Sequence, residues 1–243
     1  MKYKQFLFLL LFFPSALLAD LNDQIMYNAY LTGDLAVWSD AINKEIKEKN
    51  SYTRKELEQL INYQFGYIGY CISEQKYDEA TRHITNMERK LQLLETCKHD
   101  VALVKAYRAS LCIFKMPMNK WKFISLGING IQLADEAYRL NPSNPLIVTI
   151  KGNMDFYKPA VAGGSKKNAL FHFEKAIELY KKDQMTEHNW NYMATLLNMA
   201  QAYEKTGNMQ KALLICKEIL EIAPNFKWVK ETYYPQLLNK TKQ

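Results

Sequence analysis

Small and apolar residues recur along this chain at i, i+4 and i+7 in four stretches, the spacing that lines one face of an amphipathic helix. The first opens at Gln75-Lys76-Tyr77-Asp78-Glu79-Ala80. The second runs from Gly130 through Ala134 and Ala137 to Asn141-Pro142, the third from Ala169 through Phe173 and Ala176 to Leu179, and the fourth from Gly207 through Ala212 and Cys216 to Ala223-Pro224. Proline cannot continue a helix, so Pro142 and Pro224 mark helix ends. The pattern predicts helix pairs: Ile25 to Leu31 with Leu35 to Lys49, Tyr63 to Ser73 with Tyr77 to Leu94, and Val101 to Met116 with Trp121 to Leu140. A helix starting at Pro145 and holding Gly152 pairs with the Ala169 stretch. Met193 to Lys205 pairs with the Gly207 stretch across the turn Thr206-Gly207-Asn208, and Phe226 to Lys240 reads as a closing helix interrupted by Pro235.

The last pair resembles the tetratricopeptide repeat. Leu196, Met199, Ala200, Tyr203, Gly207, Ala212, Cys216, Ile219 and Pro224 occupy the signature positions in order, with Ala200 for the usual glycine and Ile219 for the usual third small residue. Short side chains belong there because neighbouring helices approach closely only where side chains are small. The resemblance implies an all-α fold: a right-handed superhelix of antiparallel helix pairs, one domain over 20–243. Its approximate repeats are 20–52, 53–96, 99–142, 145–182 and 186–225, with a closing helix over 226–240. Pro142 and Pro224 lie 82 residues apart over two repeats, about 41 each against the family's 34. The excess falls in an enlarged turn from Lys158 to Lys167. Insertions in such arrays collect on one face and can carry specificity, but surface loops also lengthen at little cost in stability.

That turn resembles the Gly-Gly-Ser loop of tetratricopeptide proteins similar to the periplasmic T-component of tripartite ATP-independent transporters, and of secreted repeat proteins of the Bacteroidetes type. Gly163 and Gly164 permit positive φ, Ser165 can cap the next helix, and free amides with Lys166 and Lys167 would suit an anion; a plain helix N-cap is the alternative. The order Gly-Lys-Ser/Thr of a phosphate-binding loop is absent. In the family, the first helix of each pair lines the concave face where peptides dock. This implies partner-facing roles for Asn62, Phe65 and Gly69, for Thr149, Asn153 and Phe156, and for Leu197, Gln201 and Glu204.

Composition narrows the function. The chain is 48% hydrophobic and 23% charged, with 9 Gly and 7 Pro, fewer than the roughly 17 and 12 of average usage, which leaves little turn chemistry for an all-β fold. Lys2 and Lys4, the apolar Phe6 to Phe13 and Ser15-Ala16-Leu17-Leu18-Ala19 form the charged, apolar and small-residue order of a secretory signal. Cleavage is expected after Ala19, placing residues 20–243 in the periplasm or outside the cell with no membrane span. The formal charge of +7 is dispersed, which argues against nucleic acid. His83, His99, His172 and His188 lack metal-ligand spacing, no catalytic constellation stands out, and no cofactor is expected. Cys71, Cys97, Cys112 and Cys216 permit disulfides in an exported chain, Cys71 with Cys112 being the pair most able to meet. The sequence thus points to a non-enzymatic scaffold that binds a protein or peptide of the cell envelope. The alternative is a small-molecule carrier similar to the transporter T-component, with the superhelix enclosing an apolar pore.

Overall fold

Capping side chains set many of the helix starts. The structure, a computed structural model, describes residues 15–48 and 51–241. Helices α1 (Ser15–Thr32), α2 (Leu35–Glu48), α3 (Arg54–Ser73), α4 (Tyr77–Thr96), α5 (Val101–Lys115) and α6 (Phe123–Leu140) are followed by α7 (Pro145–Tyr157) and α8 (Lys166–Lys182). The chain closes with α9 (Trp190–Lys205), α10 (Met209–Ile222) and α11 (Tyr234–Lys240). No strand occurs among the described residues. Thr53 opens α3 with a reciprocal capping box to Glu56. Asn144 caps α7, whose first residue is Pro145, and Asn189 and Asn208 cap α9 and α10. The leader expected over residues 1–19 lies mostly outside the described residues, and α1 begins at Ser15, before the expected cleavage point. Among the described residues no helix is long and apolar enough to cross a membrane.

The packing follows the paired pattern, α3 on α4, α5 on α6, α7 on α8 and α9 on α10. Ala80, Ala134, Ala137, Ala169, Ala176, Ala212 and Cys216 are all buried, which is where the repeat pattern asks for short side chains. The closing helix differs from expectation: Pro235 falls in the first turn of α11, and the preceding Val229–Tyr233 is a π-helical turn. A proline at the first turn of a helix gives up no intrahelical bond.

The ends of the array meet. The rings of Tyr30 in α1 and Trp190 in α9 are centred 5.9 Å apart, those of Trp38 in α2 and Trp190 5.2 Å apart, and Tyr30 lies 5.3 Å from Phe226. Gly66 of α3 makes room for this cluster; a β-carbon there would stand 2.7 Å from the Trp38 ring and 2.8 Å from that of Trp190. The Trp38 indole donates to the Tyr63 carbonyl at 3.0 Å, and the Trp190 indole donates to Asn62 Oδ1 at 3.0 Å. Buried indole N–H groups need such acceptors. The first unit therefore packs on α9 and on Phe226 beyond α10.

Candidate functional site

Between α5, α6 and α7 lies an apolar groove of about 370 Å3, within the roughly 300–1,000 Å3 of small-molecule sites. Phe65 of α3 and Phe114 of α5, their rings 5.7 Å apart, contribute to its wall. Ile150 and Met154 of α7 line it, with Tyr157, Lys158 and Pro159 continuing past the end of that helix. The α6 side is built from Phe123, Ile124, Gly127, Ile128 and Ile131. Ile124, Ile128 and Ile131 recur at i, i+4 and i+7, a second apolar stripe beside the one that α6 buries through Gly130, Ala134 and Ala137. No element among the described residues covers the second stripe. Phe123 is 51%, Ile124 76% and Ile128 53% exposed, whereas isolated apolar residues on a surface are ordinary and a contiguous apolar face marks a contact.

Polar groups in the groove are few. Ser110 donates back to the Ala106 carbonyl, Asn153 accepts from Asn198 at 3.0 Å, and Lys158 is the sole charged side chain among the lining residues. A site of this kind offers dispersion and burial over a large surface, with one cation to orient an acidic group.

Behind the lip formed by residues 157–159, a buried ion cluster fixes the end of α7. Asp155 accepts from Lys151 at 2.7 Å and stands 3.2 Å from His172 Nδ1 of α8, while Lys151 also reaches Asp135 of α6 at 3.3 Å. Burial opposes the charge on Asp155, but the His172 and Lys151 contacts prevail and hold its carboxyl below the ordinary carboxylate value. The Asp155 carbonyl in turn receives the amide of Ser165. Gly163 takes a φ of +85°, and a β-carbon on Gly164 would lie 1.8 Å from the Lys158 carbonyl oxygen. The two glycines thus serve different needs, a left-handed turn and a close backbone approach.

The enlarged turn does not present an anion cradle. The amides of Gly163, Gly164 and Ser165 donate to Ala160, Pro159 and Asp155, and Ser165 caps α8 through the Asn168 amide at 3.1 Å. Lys166 turns inward, its ammonium donating to the Phe156 carbonyl and lying 4.2 Å from the centre of the Phe156 ring. Lys167 remains on the surface as a single cation.

Of the residues expected on the partner-binding face, Phe65 and Asn153 line the groove. The others do not. Asn62 is bonded on both sides of its amide, to Tyr107 and to Trp190 and Asn191, each at 3.0 Å. Thr149 is buried against Thr195 at 2.9 Å, and Phe156 is buried. Gln201 is half-buried on α9, and Glu204 accepts from Tyr233 at 3.1 Å and Lys240 at 2.6 Å. Asn62, Thr149 and Glu204 thus spend their polar groups on partners within the chain. Cys71 and Cys112 are buried and unbridged. Cys71 packs in the cluster around Trp38 and Tyr67, whereas Cys112 receives a weak bond from Asn129 of α6. Cys216 is a buried free thiol and Cys97 is exposed. No group of three or more metal-ligating side chains occurs among the described residues.

Ile124 and Ile128 fall inside the helix expected from Trp121 to Leu140, with no role in the groove expected of them. Their signal was present: two apolar stripes on one helix, where an outer helix of a pair needs one.

Fold and groove together describe a protein that is helical among the described residues, its helices packed in adjacent pairs, with an open apolar groove between α5, α6 and α7. No family model matches the sequence, and no curated protein matches it. Among solved structures, the HusA haemophore from Porphyromonas gingivalis is similar, with a TM-score of 0.63 at 17% identity over 80% of this chain and 95% of that chain. At that identity the likeness is one of fold.

Proposed function

We propose that this chain is an exported, non-enzymatic carrier that holds a flat apolar small molecule of the porphyrin class in the groove between α5, α6 and α7, on a tetratricopeptide-like right-handed stack. The observation that carries the reading is the uncovered second stripe of α6 facing Phe65, Phe114 and Met154 across a groove with one cation. Aromatic and branched aliphatic walls suit a planar ring, and Lys158 at the lip suits a ring carboxylate. The fold likeness to a haemophore supports the same class. Compared with a peptide-binding scaffold, this reading uses the open part of the inner face and asks nothing of Asn62, Thr149 or Glu204, whose polar groups are engaged internally.

Titration of the exported protein with protoporphyrin IX and with haemin, followed by absorption and tryptophan quenching, tests it. No histidine lines the groove, so the two should bind with affinities within a fewfold of each other. Ile128→Asp, at a half-exposed wall position, should weaken both more than tenfold, because burying a carboxylate against the ring costs several kcal/mol, and should leave the unfolding midpoint nearly unchanged. Absence of binding by either compound, or unaltered binding by Ile128→Asp, would reject the groove as the site.

A further inference from the structure

We infer that the mouth of the groove docks on an anionic lipid surface, with Trp121 and Val161 entering the headgroup layer from opposite lips. Both side chains are fully exposed. Trp121 stands two residues before Phe123, and Val161 two residues after Pro159, so each extends a lip of the groove. Six of the sixteen large exposed apolar side chains among the described residues fall within 121–128 and 157–161. An apolar cluster of this density marks a contact surface rather than scattered exposure.

Charge selects the occupant. The chain holds 25 acids, yet none lies between Val101 and Ala134 or between Phe156 and Phe173, the two segments that build the lips. On the first of these segments Lys105, Arg108 and Lys115 are paired with Glu136, Glu95 and Glu88. Lys120, Lys122 and Lys158 have no carboxylate partner among the described residues. Lys120 and Lys122 flank Trp121 directly. A tryptophan between two lysines is suited to the membrane interface, where the indole sits at headgroup level and the ammonium groups meet lipid phosphates. The two lips are separated by the groove, so a partner that contacts both must be continuous, deformable and uniformly negative, which describes a bilayer better than a folded protein. Docked in this way, the groove would open onto the apolar layer and exchange its cargo without passing it through water.

The test is partition of the exported protein onto vesicles of phosphatidylglycerol and phosphatidylcholine and onto vesicles of phosphatidylcholine alone, read by flotation and by brominated-lipid quenching of tryptophan. Binding is expected on the anionic vesicles and much less on the neutral ones. Combined Trp121→Ser and Val161→Ser substitution should lower partition about tenfold or more. Lys120→Gln and Lys122→Gln should each lower it about fivefold, and high salt should mimic their loss. None of these four residues lines the groove, so porphyrin binding in solution should be unchanged in every variant. That measurement separates failure of the docking surface from failure of the groove. No partition onto anionic vesicles, or partition that survives the Trp121→Ser and Val161→Ser changes, would overturn the proposal. So would a dimer in sedimentation velocity that Trp121→Ser dissolves in the absence of vesicle binding, which would assign the patch to self-association.

Discussion

Helices α6 and α10 hold the same place in their pairs and both carry more apolar surface than one neighbour can bury, yet they meet different fates. At α10 the chain turns back: Phe226, Val229, Tyr233 and Leu237 join the core cluster that contains Ala212 and Ile219. Tyr233 and Lys240 then anchor the closing segment on Glu204. At α6 the following segment departs into α7 and the enlarged turn, and Phe123, Ile124 and Ile128 face open space. One helix shape thus gives a core where a later segment lies over it and an open groove where no segment among the described residues does.

The largest test of this contrast is stability. Leu237→Ala removes a fully buried side chain and should cost about 2–5 kcal/mol. Ile128→Ala should cost less than about 0.5 kcal/mol, as surface substitutions do. Urea denaturation of the two variants measures the difference, and equal losses would show that α6 is covered in solution. Next in size is Asp155→Asn, expected to cost about 2 kcal/mol because it removes hydrogen bonds between charged groups, and to loosen porphyrin binding by freeing the lip. The pH profile sharpens it. A carboxyl held below its ordinary value stabilises the fold above the unfolded-state pKa of about 3.9 and loses that contribution as pH falls through the lower folded value. Wild-type protein should therefore lose stability on acidification through that window, and Asp155→Asn should show a shallower acid limb. The smallest effect belongs to Glu204→Gln. Burial works against the charge on Glu204, but Lys240 and Tyr233 outweigh it and hold the carboxyl below its ordinary value. Because Lys240 is half exposed, the loss should stay under about 1 kcal/mol, and thermal unfolding at neutral pH should detect it as a shift of a few degrees at most.

The helices and their order are legible in the sequence because the repeat is written in local terms: small residues at fixed spacing, asparagine or serine caps, and proline after the last turn. Ser165 as a cap, Pro145 as a first residue and Gly152 as a close-contact position, packed under Phe173, all follow from those rules. The inner face does not follow from them. Whether Asn62 meets a ligand or the Trp190 indole is decided by a contact between residues more than a hundred positions apart in sequence. The disulfide expectation failed for a related reason. Cys71 and Cys112 share first-helix positions in adjacent pairs, but their side chains meet different neighbours. The groove was half legible: Phe65 and Asn153 were on the expected face, and the double stripe of α6 was visible as a surplus of isoleucine and phenylalanine without a stated partner.

The meeting of Tyr30 with Trp190 and Phe226 bears on how the chain is made. In an open array each unit touches only its neighbours, so folding can begin anywhere and spread. Here Tyr30 of α1 and Trp38 of α2 take ring partners from α9 and from Phe226, more than a hundred residues further along the chain. A fragment that stops before α9 would leave Tyr30 without Trp190 and Phe226, so the first unit should be less stable on its own than within the whole chain.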